Sequence, residues 1–231
     1  MKRLINGIKS AVERQVFVTT HSSLISTRLN LKKSILLNSQ AESSISLKDI
    51  EESTANFFVK APDNNLLEFI LSKKIILVEG YAEFILMESF FERVKKQYLE
   101  RLGVHIISVN GTSFERYLEI AKILKIKTAV IRDNDGDFQS NCVDNYKDYC
   151  VNEFIKIFYE DDDNLRTFEN CIFSKNQEIC NNMFSSGRRT LTVEDYMLKN
   201  KTNVALKLLE NASDTLIIPE YIVKAIEWIS E

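Results

Sequence analysis

The sequence predicts an α/β fold, a parallel sheet flanked by helices, with a helical C-terminal extension. Three observations predict it. The stretches KIILVEG, VHIISVNG and KTAVIRD are short apolar runs, each closed by glycine or a polar turn. Between them lie two longer segments, YAEFILMESFFERVKKQYLE and FERYLEIAKIL, apolar on one face and charged on the other. The strand runs are continuous rather than alternating, as expected of strands buried on both faces. A β-α-β-α-β order with short turns implies parallel strands joined by right-handed crossovers.

In chain order, Leu4, Ile5, Ile8 and Val12 fall at helical spacing and predict a first helix. QVFVTTHS predicts a short strand ending in a polar turn, and SILLN, from Ser34 to Asn38, predicts another. Residues 39–65 read as polar connection, with room for one short strand in AESSISLKDIEEST. The apolar pattern resumes at Leu66 to Leu71, so a boundary is expected that divides 1–62 from 63–231. After the β-α-β-α-β stretch, EFIKIFYE predicts a strand. TFENCIFSKN, TVEDYMLKN, TNVALKLLEN and PEYIVKAIEWI predict helices, the last with Pro219 suited to a first turn. Phe90, Phe91 and Trp228 are expected in helix packing, Cys171 and Cys180 as buried thiols, and Ser113 as a helix cap.

Composition narrows the function. Hydrophobic residues are 45% and charged residues 27% of 231, ordinary for a globular protein. A net charge of −3 gives no broad basic field, so nucleic-acid binding would rest on a local patch or a bound metal. Cys142, Cys150, Cys171 and Cys180 form no CxxC pair and neither histidine, His21 or His105, lies near them, which argues against zinc. Free thiols and a cytoplasmic location are expected. No secretion signal and no run of 18 apolar residues is present, so no membrane partner is expected.

The chemistry concentrates in IRDNDGD, Ile131 to Asp137. Taken alone it reads as a solvated turn, because Asp, Asn and Gly are turn residues. It does not fit a calcium loop, since Asp144 stands where the closing glutamate is needed. Its position is more informative. In an open parallel sheet, ligands bind outside the carboxyl ends of the strands. Glu79 closes the first strand of the β-α-β-α-β stretch and Asp133 and Asp135 close the third, so neighbouring strands would bring them to one rim. Glu83, four residues after Glu79, reaches the same rim from the first helical turn. Packed carboxylates need a counter-charge. Hard divalent cations such as Mg²⁺ or Mn²⁺ supply it and take oxygen ligands.

ILVEGYAE, then VNG, then RDNDGD resembles a Toprim domain, a Rossmann-like metal-binding fold, and more closely the Toprim domain of OLD-family (Gabija-type) nucleases. VEGY also resembles bacterial primases, whose second acid stands where this chain has Ala82. The OLD resemblance covers most of the chain. It implies a metal-dependent DNA endonuclease using one or two Mg²⁺ or Mn²⁺ ions. Glu79, Glu83, Asp133 and Asp135 match metal ligands, with Glu79 also a catalytic acid or base. Asp137 has no counterpart and is expected to be structural. RTFENCI resembles a later acidic segment, making Glu169 a candidate ligand whose plain alternative is a helix N-terminal acid. NKTNVAL resembles a segment whose lysine meets the scissile phosphate, pointing to Lys201, with Lys199 as the fallback and a surface lysine as the plain alternative.

VFVTTHSSLIS resembles the histidine switch at the end of an ABC ATPase, with His21 as the nucleotide-sensing residue. No GxxxxGK[ST] phosphate cradle occurs, so no ATP site is complete in this chain. Residues 1–62 are thus expected to be a C-terminal remnant of an ABC-type ATPase domain, and 63–231 a Toprim nuclease domain with a helical C-terminal segment. Arg132, Arg188 and Arg189 are candidate DNA contacts, the latter two in the turn SSGRRT. DNA is the expected partner, beside a second copy of the chain or a separate ATPase subunit. The alternative function is an inactive truncated fragment or subunit that binds a partner ATPase.

Overall fold

The computed structural model describes residues 7, 15–20, 31–36, 45–60, 65–185 and 190–231. His21, Arg188 and Arg189, and the first predicted helix apart from Gly7, lie outside them. The chain divides into two compact units, Met1–Leu71 and Ser72–Glu231. Among the described residues no helix is long and apolar enough to cross a membrane.

In the first unit, β1 (Ile35–Leu36) pairs antiparallel with β2 (Ile45–Ser46). Two helices follow, α1 (Glu52–Lys60) and α2 (Leu66–Leu71). The helix α1 lies where the sequence reads as polar connection. It is only nine residues long, with Thr54, Ala55 and Phe58 buried along one stripe. Residues 15–20 adopt no regular structure, although their β-branched and aromatic content predicts a strand. Phe17 is 82% exposed, so no apolar face is being covered there.

The second unit is built on a parallel sheet of β3 (Lys74–Val78), β4 (Val104–Ser108), β5 (Lys127–Ile131) and β6 (Ile155–Phe158), in the order β4-β3-β5-β6. Strand β3 is central and neighbours β5, with Leu77 opposite Val130. That adjacency brings the ends of the first and third strands of the β-α-β-α-β stretch together. The crossovers are α3 (Tyr81–Lys95) and α4 (Phe114–Leu124). Each ends where a lysine takes the left-handed conformation, Lys96 at φ 56° and Lys125 at φ 54°, so that its N–H closes the last turn. Ser113 stands at the start of α4 but its side chain makes no capping bond. A π-helical turn, Gln139–Val143, a 3-10 turn, Asp144–Tyr146, and the short α5 (Lys147–Cys150) lead into β6.

Strand alternation sorts the core onto two faces. Ile76, Val78, Ala129 and Ile131 share one hydrophobic cluster with Leu86, Met87, Phe90 and Phe91 of α3. The same cluster takes in residues of α6 (Phe168–Lys175), α7 (Gln177–Phe184), α8 (Val193–Lys199), α9 (Lys201–Ala212) and α10 (Glu220–Ser230). These helices are the C-terminal extension. They cover the face that would otherwise expose the sheet, with Ile222, Ile226 and Ile229 of α10 fully buried. Phe90 and Phe91 are also fully buried, each stabilising the fold by about 2–3 kcal/mol. Trp228 lies at the edge, its ring 5.9 Å from that of Phe158. Cys171 and Cys180 are buried free thiols. Ile75, Leu77 and Val130 point to the opposite face, on which α4 packs against β5.

Candidate metal centre

The acids gather at the carboxyl-end rim, and the alternation that sorts the core also sorts them. Glu79 follows Leu77 by two residues and Arg132 follows Val130 by two, so the register that pairs Leu77 with Val130 sets Glu79 opposite Arg132. The Arg132 guanidinium donates to Glu79 Oε2 at 2.5 Å and to Asp135 Oδ2 at 2.7 Å. Arg132 is only 6% exposed. Expected at the DNA surface, it instead forms a buried fork on two of the expected metal ligands. Asp133, two residues past the end of β5, lies among Glu83 from the first turn of α3, Glu79, and Glu169 from the first turn of α6; Asp133, Glu83 and Glu169 are buried.

Each position has a local cause. Gly80 precedes α3, and a Cβ there would lie 3.3 Å from Glu83 Oε2, so the missing side chain leaves room for the carboxylate. Asp133 Oδ1 accepts the Phe168 N–H at 2.8 Å, which ties the end of β5 to the start of α6. Thr167 caps α6 by accepting from the Asn170 N–H, leaving Glu169 in the first turn. Asp135 and Gly136 both adopt left-handed backbone, φ 53° and 88°, which Asp and Gly tolerate better than other residues. Lys201 is the first residue of α9, and its Nζ lies 2.8 Å from Glu169 Oε2. The other oxygen of Glu169, Oε1, is buried without a hydrogen-bond partner among the described residues.

The electrostatics follow from burial. Desolvation pushes the Glu83 carboxyl up to about 7, assisted by the charges of Glu169 and Glu79. Desolvation, then Glu83, Glu79 and Glu169, raises Asp133 well above the usual carboxylate range. Burial also raises Glu79, although Arg132 opposes it. For Lys201, burial favours the neutral amine but the Glu169 carboxylate outweighs it, so the ammonium is held beyond its ordinary range. The same balance, burial overcome by Glu79 and Asp135, strengthens the charge on Arg132.

Among the described residues, no three of the His, Cys, Asp and Glu side chains stand ready around one point to ligate an ion. Arg132 holds Glu79 and Asp135 to one side, and Lys201 stands on Glu169. The donor chemistry nevertheless fits a hard divalent cation. It is all carboxylate oxygen, Oε1 of Glu169 is buried without a donor, and among the described residues five acids share two paired cations.

Two residues of the rim carry no signal that sequence reasoning recognised. Asn134, 1% exposed, donates its amide to the carbonyls of Glu160 at 2.8 Å, Asp162 at 3.0 Å and Leu165 at 3.3 Å. Its Oδ1 accepts the Gly136 N–H at 2.8 Å, so it fixes the acidic turn to the loop before α6. Arg166 is exposed, and its side chain runs along Gly136, with Nε 3.2 Å from where a Cβ would be. Asp137 accepts the Ser140 N–H at 2.9 Å and begins the π-helical turn, a structural role. Lys199 ends α8, whereas Lys201 faces the acids.

Residues 70–135 match the model of the Overcoming lysogenization defect protein-like TOPRIM domain. The C-terminal region of the Xanthomonas campestris pv. campestris OLD protein superposes with a TM-score of 0.51 at 24% identity, covering 71% of this chain and 94% of that one. The C-terminal region of the Burkholderia pseudomallei OLD protein gives 0.45 at 21% identity over 68% and 96%. No curated protein matches the sequence. The matched segment holds Glu79, Glu83, Asp133 and Asp135, the four acids that end β3, open α3 and follow β5. Residues 70–135 therefore carry an OLD-family Toprim domain, within a fold shared with the C-terminal region of an OLD protein.

Proposed function

We propose that the chain is a metal-dependent DNA endonuclease that nicks or cleaves phosphodiester bonds by hydrolysis. The observation that carries this reading is the meeting of Glu83, Asp133, Glu169 and Lys201 at the carboxyl-end rim of an OLD-type Toprim sheet. Glu79, Glu83, Asp133, Asp135 and Glu169 would hold one or two Mg²⁺ or Mn²⁺ ions. Such an ion, when bound, activates a water and offsets charge on the leaving oxygen. The chain's own groups do the rest. Glu79, 23% exposed and raised by burial, reaches solvent and accepts the proton of the attacking water. Lys201, 46% exposed and firmly charged, pairs with the phosphate as negative charge develops. Arg166, beside Asp135, and Arg188 and Arg189 are candidate contacts to the DNA backbone. Incubation with supercoiled plasmid and Mn²⁺ tests the reading. Nicking by the wild type that is lost in Glu79→Ala and Asp133→Ala supports it. No nicking, or equal nicking by the variants, sinks it.

A second reading is favoured by the Arg132 fork on Glu79 and Asp135. In it, residues 1–62 keep an ATPase-derived surface and the chain is an inactive subunit for a separate ATPase. Full cutting by the isolated chain would count against it, and co-purification with an ATPase would favour it.

A further inference from the structure

The five acids are not held alike. Among the described residues Glu83, Asp133 and Glu169 make no ion pair with Arg132, and the cation beside them, Lys201, is half exposed. Glu79 and Asp135 each commit one oxygen to a buried guanidinium that is anchored at the end of the central β5. We propose that Arg132 is a resident counter-cation that competes with a divalent metal for Glu79 and Asp135, so that occupancy of that half of the rim requires the guanidinium to release at least one of them. The inference rests on the metal-dependent reading above.

The physical basis is simple. A guanidinium presents parallel donors that suit carboxylates, and it does not deprotonate to make way. A metal ion approaching Glu79 and Asp135 meets one oxygen of each already committed to the guanidinium, and a repelling positive charge. Where Arg132 stays in place, the first ion enters on the side of Glu83, Asp133 and Glu169. The two halves of the rim thereby differ in affinity by construction of the sheet register, because the residue opposite Glu79 is cationic.

Calorimetric titration of the full chain with Mn²⁺ tests this, comparing wild type, Arg132→Met and Arg132→Lys. Met keeps the length and apolar stem while removing the charge. It is expected to bind Mn²⁺ at least ~10-fold more tightly, the scale of removing a unit charge within a few ångströms. Lys keeps the charge but not the fork, and its affinity is expected between the two. Melting curves accompany the titration. Arg132→Met is expected to melt lower than wild type without metal and to gain more from saturating Mn²⁺. If it folds only with Mn²⁺, that rescue supports the proposal, and failure of rescue overturns it. Equal or weaker Mn²⁺ affinity in Arg132→Met, with wild-type binding intact, overturns the clamp and leaves the nuclease reading standing. Absence of Mn²⁺ binding in both proteins overturns the two together.

Discussion

Glu83 offers a quantitative test of the rim's electrostatics. It is 5% exposed, and desolvation, reinforced by Glu169, lifts its carboxyl from 4.5 to about 7. An acid with a higher pKa when folded keeps its proton longer in the native state than in the unfolded chain. Its contribution to stability is therefore fully present below 4.5 and is lost as pH rises through about 7. The rise corresponds to about 3 kcal/mol. Asp133, buried beside it, shifts in the same direction for the same reason. Glu83→Gln keeps the shape and removes the titration. Urea unfolding in the presence of a chelator, at steps from pH 5 to pH 8, reads the difference. The wild type is expected to lose about 2–3 kcal/mol more than the variant across that range, since part of the effect is already gone by pH 5. Parallel pH dependences for the two proteins would refute the burial account.

Other consequences are equally specific. Asn134→Ala leaves the carbonyls of Glu160, Asp162 and Leu165 without their shared donor. It is expected to cost about 2–4 kcal/mol in thermal or chemical unfolding. Gly80→Ala places a methyl 3.3 Å from Glu83 Oε2 at a φ of −139° that alanine accepts. Stability should change little while Mn²⁺ affinity, by calorimetry, falls several-fold as the carboxylate is displaced. Lys201→Met removes the charge facing the acids. Plasmid nicking is expected to drop about 10²–10³-fold while Mn²⁺ binding persists, which separates it from the acidic ligands.

The β-α-β-α-β order was legible because each strand is short and mostly apolar and each crossover helix carries an apolar face. The segment FERYLEIAKIL is an example: it matches α4 (Phe114–Leu124) end to end. Helices α1 and α7 were not legible, because ESTANFFVK and QEICNNMF are only nine and eight residues long and hold few large apolar residues among many polar ones. The acids of the rim could be placed from their positions at strand ends. Their division could not, since it depends on which strand neighbours which and in what register. Arg132 looked like a surface cation beside an acidic turn, and only the pairing of Leu77 with Val130 turns it toward Glu79. Asn134 looked like a turn residue, whereas its three acceptors come from a loop about thirty positions away in the chain.

Crystals grown with Mn²⁺ and measured for its anomalous signal test the central claim most directly. A peak within ~2.2 Å of carboxylate oxygens of Asp133 and at least one of Glu83, Glu79 and Glu169 is the predicted result. Mn²⁺ bound only elsewhere, or no peak at these acids under saturating Mn²⁺, would contradict the account.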